Sequence, residues 1–122
     1  MKKLYLNDFK DFTQDEILDE FEVDEKDRKG IEVLFASYGN ESYDGEAFLL
    51  VEKDNKLYEV NADHCSCYGL EDQFELEETS IELIEYRLKN VENFGSDQWS
   101  TGNVFRNELI DFIEEYKNNE KS

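Results

Sequence analysis

The residues best suited to chemistry stand together. The only histidine and both cysteines fall within His64-Cys65-Ser66-Cys67. Two thiolates and an imidazole are a favoured ligand set for Zn²⁺, whose tetrahedral shell also accepts carboxylate oxygen. In an extended stretch alternate side chains share a side, so Cys65 and Cys67 can turn both sulfurs toward one point. His64 then needs a local turn to join them, and Gly69 just downstream can allow one. For the fourth ligand the turn at Gly69 nominates Glu71, with Asp63, Asp72, Glu77 and Glu78 as rivals. Such an ion is expected to be structural, because it would tie a loop to the body of a small fold.

Three other readings of the cluster stay open. The thiols can be buried apolar residues without a ligand. They can form a Cys65–Cys67 disulfide, although so short a ring is strained and a reducing compartment opposes it. Or one thiol is a nucleophile activated by His64; adjacent residues rarely present a base correctly, and no oxyanion-hole motif is legible. The zinc-deaminase pattern of His-x-Glu with Pro-Cys-x-x-Cys is absent, as is His-Glu-x-x-His. There is no Gly-rich phosphate loop and no Gly-x-Ser-x-Gly elbow.

The elements that must carry the cluster are legible from periodicity. Proline is absent, so breaks are read from Asn, Asp and Gly. Thr13-Gln14-Asp15-Glu16 forms a capping box, and Ile17, Leu18 and Phe21 mark an apolar stripe, predicting a helix over about 13–22. The charged stretch 23–30 reads as a loop. Residues 31–38 are β-branched and aromatic, predicting a strand, and 39–45 a turn. The apolar run 47–51 predicts a central strand buried on both faces. Lys53-Asp54-Asn55-Lys56 reads as a tight hairpin turn, with Asp54 and Asn55 tolerating positive φ. Residues 57–60 return as a third strand, and 61–73 read as irregular. Thr79-Ser80-Ile81-Glu82 reads as a second capping box, opening a helix to about residue 90 with Ile81, Ile84, Leu88 and Val91 in its stripe. A third helix is predicted over about 102–117, with Phe105, Leu109, Phe112, Ile113 and Tyr116 on one face and fraying beyond. The expected fold is α+β: a three-stranded antiparallel meander with about three helices and a zinc-clipped loop after the third strand, in a single domain over residues 1–122.

Charge narrows the function classes. The chain has 122 residues, 13 basic and 32 acidic, for a formal net charge of −19. The acidity is spread along it: residues 1–30, 31–60, 61–90 and 91–122 carry −4, −5, −6 and −4. No acidic tail accounts for it, so it belongs to the surface. A nucleic-acid binder or a ligand of anionic membranes needs Lys/Arg patches, and these are lacking. Aromatic residues at 14% and hydrophobic residues at 39% argue against full disorder. No apolar run approaches transmembrane length, and Met1-Lys2-Lys3-Leu4 leads into Asn7-Asp8 without an apolar leader, so a cytoplasmic monomer is expected. An acidic exterior either serves solubility or seeks a cationic groove. Glu75, Glu77, Glu78, Glu82 and Glu85 lie close in sequence and are candidates to face Lys/Arg on a partner. Trp99, Phe94, Tyr38 and Tyr43 are candidate anchors or packing residues.

One resemblance joins these features. Gly45-Glu46-Ala47-Phe48, Lys56-Leu57-Tyr58-Glu59-Val60, His64-Cys65-Ser66-Cys67-Tyr68-Gly69-Leu70-Glu71 and Glu77-Glu78-Thr79 resemble small phage and prophage proteins. In size, acidity and Cys/His cluster the chain is similar to zinc-containing anti-CRISPR proteins directed against type II-A Cas9. The resemblance spans Tyr43 to Thr79, about a third of the chain. It implies a non-enzymatic inhibitor that binds Cas9 in the bacterial host and prevents engagement of target DNA. It implies metal ligation by Cys65 and Cys67, with His64 beside them. The alternatives are a small thiol- or metal-dependent hydrolase using the same cluster, or an acidic phage structural or assembly protein.

Overall fold

The computed structural model describes residues 3–39, 45–64, 69–91, 94–96 and 103–120. The chain opens with strand β1 (Leu4–Asn7) and helix α1 (Gln14–Glu20), followed by a 3₁₀ turn at Glu25–Asp27. Then come β2 (Glu32–Gly39), β3 (Gly45–Lys53), β4 (Lys56–His64) and β5 (Glu77–Thr79). Helices α2 (Ile81–Asn90) and α3 (Arg106–Glu120) complete the described residues. The fold is α+β. Its five strands form one sheet in the order β1-β2-β3-β4-β5.

The expected meander is the middle of this sheet, β2-β3-β4, with antiparallel pairing throughout. The full sheet corrects the three-stranded expectation. β1 adds parallel to β2 through an α1 crossover, and β5 adds antiparallel to β4. Neither edge carried a local signal. Parallel pairing has no hairpin turn to announce it, and Glu77-Glu78-Thr79 is a short charged edge of the kind that discourages sheet-to-sheet association. β4 also runs on to His64, where irregular chain was expected from residue 61. Its inward alternation persists through Val60 and Ala62, both buried, while Asn61 and Asp63 are exposed.

Helices cover both faces, which makes β3 apolar all round as expected. On one face Ala47, Leu49 and Val51 pack with Val33, Val60, α1 residues Ile17 and Leu18, and Phe21 at the α1 C-cap. On the other, Phe48 and Leu50 pack with Ile84 and Leu88 of α2 and Leu109, Phe112 and Ile113 of α3. A register shift between Val33 and Phe35 lets β2 send both Leu34 and Phe35 into this second core. Phe48 stacks on Phe105 with ring centroids 5.0 Å apart, and Phe35 meets both edge-on.

The helix ends follow physical rules with two corrections. Thr13 caps α1 in a complete capping box: its Oγ1 accepts from Glu16 N–H and Glu16 Oε1 accepts from Thr13 N–H. At α2 the cap is Ser80, which accepts from Leu83 N–H, while Thr79 belongs to β5. Leu83 therefore takes the place where the predicted box needs Glu82. α3 begins at Arg106, later than about 102, because Phe105 and Arg106 N–H both donate to the Gly95 carbonyl at 2.9 Å. It then runs to Glu120 instead of fraying after 117. The stripe residues Phe105, Leu109, Phe112, Ile113 and Tyr116 are all buried; in α2, Ile81, Ile84 and Leu88 are buried and Val91 is exposed. Asp54 and Asn55 turn the β3–β4 hairpin at φ 53 and 65, as expected.

Candidate functional site

β4 delivers the candidate metal cluster to one end of the sheet. The His64 backbone pairs with Gly45 and Asp63 with Glu46, the last described pairs of the β3–β4 ladder. Cys65 and Cys67 lie outside the described residues, and His64 is described as backbone alone, so the expected zinc-clipped loop lies outside them too. Where the chain is next described, Leu70 to Gln73 form a turn closed by Gln73 N–H to the Leu70 carbonyl at 3.2 Å. Glu71 turns toward Gly69, its Oε1 accepting from Gly69 N–H at 3.2 Å. That places its carboxylate at the exit of the Cys/His segment. Among the described residues no three His, Cys, Asp or Glu side chains gather to hold an ion. Glu71 is the one member of the nominated set whose side chain is described.

The ends of that segment are pinned by Gln73. Its Oε1 accepts from Asp63 N–H at 3.0 Å, and its Nε2 donates to the Asp63 carbonyl at 2.5 Å and the Gly69 carbonyl at 2.8 Å. The amide thus pairs with Asp63 as a neighbouring strand would, and ties Asp63 to Gly69 across the five intervening residues. Gln73 was missed in the sequence, where one Gln among thirteen irregular positions carries no signal.

Beside this end lies a cleft of about 430 Å³ between β3, β4 and the last turn of α2, bordered by Glu46, Asp63, Gln73, Arg87 and Phe94. Arg87 of its lining pairs with the buried carboxylate of Glu59, whose two oxygens lie 2.6 and 2.7 Å from Arg87 Nη1. Asn61 Nδ2 donates to the same carboxylate at 2.8 Å. The Arg87 guanidinium also lies 4.1 Å from the Phe94 ring centroid. Phe94 therefore packs between sheet and helix, and Tyr38 packs on Phe9. Trp99 and Tyr43 lie outside the described residues.

The nominated partner-facing carboxylates do not share one face. Glu77 lies across from Glu59 and Glu78 across from Tyr58, so the pleat projects them to opposite sides. Glu75 and Glu82 are exposed, and Glu85 is held by Lys117 at 3.0 Å. Exposed carboxylates also flank α1, interspersed with exposed Lys10, Lys26 and Lys29. There Asp8, Asp11, Asp15, Glu16, Asp19 and Glu20 are exposed, followed by Glu22, Asp24, Glu25 and Asp27. Arg28 answers part of it, 2.7 Å from Asp19 and 3.5 Å from Asp15, and the Asp19 hydrogen bond raises the Arg28 pKa. Among the described residues no helix is long and apolar enough to cross a membrane. Comparison with family models, curated proteins and solved structures finds no match for this chain.

Proposed function

We propose that the protein is a non-catalytic inhibitor of a cationic, nucleic-acid-handling host protein, and that the host protein is Cas9, as the resemblance implies. One observation carries this reading: an exterior of net charge −19 in which exposed carboxylates crowd the surface around α1. Cas9 holds its guide–target duplex in a positively charged channel read through the backbone. A carboxylate-rich surface competes for the same Lys and Arg side chains without mimicking a duplex in detail. The protein would then act from the cytoplasm of a bacterial host, encoded by phage or prophage, and prevent engagement of target DNA.

In this reading zinc is a structural clip held by His64, Cys65 and Cys67, with Glu71 as fourth ligand. What supports it is the donor chemistry of the segment, together with Gln73 closing its ends and Glu71 turned back toward it. The ion would supply rigidity to the sheet end. Glu75, Glu77, Glu78 and Glu82 remain candidate contacts, alongside the carboxylates of the α1 surface.

The test is a pull-down with Cas9, with and without guide RNA, across a salt series. A complex that weakens as salt rises is the expected result. Absence of any complex at moderate salt removes Cas9 as the target. Turnover of a substrate that stops on alkylation of Cys65 or Cys67, in protein that stays folded, would replace the inhibitor with an enzyme.

A further inference from the structure

A second groove lies on the α1 side of the sheet, and it pairs an apolar floor with an acidic rim. We propose that it receives a short amphipathic segment of a partner protein, in which Lys or Arg residues flank aliphatic ones. The proposal rests on the cationic partner of the reading above and not on that partner being Cas9.

The groove has a volume of about 470 Å³. Phe21, Val23, Phe74 and Leu76 form its floor. Phe74 meets Phe21 edge-on at 5.8 Å, and Val23, Phe74 and Leu76 stay partly exposed to the groove. The rim is Glu22, Asp24 and Asp27 on one side and Asp72 on the other, all exposed. Among the described residues Lys53 is the one cation lining it. The floor offers an inorganic ion nothing, and the rim repels an acidic segment or a second copy of this chain. An apolar segment flanked by cations satisfies both.

Both lips carry a residue at positive φ. α1 ends in a Schellman turn: Val23 N–H donates to the Leu18 carbonyl at 3.1 Å and Glu22 N–H to the Asp19 carbonyl at 2.9 Å. The residue after the cap takes the left-handed conformation that glycine adopts freely, and here it is Glu22 at φ 54. Across the groove Asp72 stands at φ 63. Glu22 thus holds a left-handed position where glycine would relieve strain, while Asp72 is of a residue type that tolerates one.

The probe is a fluorescein-labelled synthetic peptide of Leu and Lys at helical spacing, read by anisotropy at low salt. Reversal of the rim by Asp24→Lys with Asp27→Lys should weaken binding about tenfold or more, as loss of complementary charge does. Asp24 makes no side-chain cap bond to the 3₁₀ turn, so the fold should survive. Asp111→Lys with Glu115→Lys makes the same charge change on α3, across the sheet, and should leave affinity within about twofold. Glu22→Gly should raise the melting temperature while weakening the peptide. Equal losses from both reversals overturn the groove and leave a diffuse cationic attraction standing. No peptide binding by unaltered protein that still captures Cas9 overturns the groove alone, and the loss of both overturns the cationic partner as well. Peptide binding at the groove with no Cas9 complex removes only Cas9. A concentration-dependent dimer abolished by the rim reversal would make a second copy the occupant and overturn the peptide assignment.

Discussion

The Gln73 side-chain amide bonds both backbone groups of Asp63, at 3.0 and 2.5 Å, and so takes the place that a further strand would fill beside β4. The same amide reaches Gly69 at 2.8 Å. The two ends of the Cys/His segment are therefore held together by one residue that is itself no candidate ligand.

Gln73→Ala removes this clamp and leaves the Asp63 and Gly69 backbone groups to water. At about 1 kcal/mol for each of three hydrogen bonds, with partial compensation by solvent, a loss of about 2 kcal/mol is expected in urea unfolding. Gln73→Glu should not rescue it, because both carbonyls then face an acceptor. Unchanged stability in both variants would show that the clamp contributes nothing.

Arg87 covers the buried carboxylate of Glu59, and its own side chain is about a third exposed. Arg87→Met strands that charge, and a cost of about 2–3 kcal/mol is expected, below that of a fully buried pair. Glu59→Leu combined with Arg87→Met should recover most of the loss. Additive losses in the double variant would show that the two side chains do not act as a pair.

Gly95 has φ 78, and a Cβ there would sit 3.0 Å from the Arg106 backbone. Its carbonyl holds the first N–H groups of α3, while Arg106 Nη1 donates to the Val91 and Phe94 carbonyls at 3.1 Å and Nη2 to that of Leu88. The α2–α3 junction is thus fixed from both sides. Gly95→Ala should destabilise by more than about 1 kcal/mol, measured by thermal unfolding. By the opposite logic Glu22→Gly should stabilise by about 1 kcal/mol, since it relieves a left-handed Glu.

Local signals announced local structure. The Thr13 box, the Asp54-Asn55 turn, the doubly buried run at 47–51 and the α3 stripe each rest on neighbours within a few residues, and each appears where it was read. What escaped was long-range. β1 pairs with residues about 30 positions away, and β5 has the composition of a loop. The His64–Cys67 cluster was visible as chemistry. The clamp at Gln73 and the groove at Phe74 were not, because both exist only once β4 extends to His64 and brings two distant segments together.

Tyr5 and Tyr38 link stability to alkaline pH. Burial, with Glu32 nearby, pushes Tyr5 up to about 12. Burial, with Glu20 and Asp8 nearby, does the same for Tyr38. Each is raised above its ordinary value of 10.0, so the folded state holds protons that the unfolded state has released. Their contribution is whole below pH 10 and is lost as pH climbs toward 12. Stability should fall across that window, and Tyr5→Phe with Tyr38→Phe should flatten the fall. Tyrosinate absorbance that titrates fully near pH 10 in folded protein would contradict this.

Metal removal should act on one end of the sheet. If His64, Cys65 and Cys67 hold zinc, the purified protein carries one equivalent by elemental analysis. EDTA or Cys67→Ser should then lower the melting temperature by an amount worth a few kcal/mol. Because the described β3–β4 ladder ends at the Gly45–His64 and Glu46–Asp63 pairs, amide exchange should quicken first at 45–47 and 61–63. The α1 core around Ile17 and Leu18, which is shared with Val33 and Ala36 of β2 as well as with β3 and β4, should keep its protection longer. Gln73→Ala should weaken zinc retention about tenfold or more without removing a ligand, as outer-shell losses do. A melting temperature that neither EDTA nor Cys67→Ser moves would remove the ion and leave Gln73 alone to close the segment.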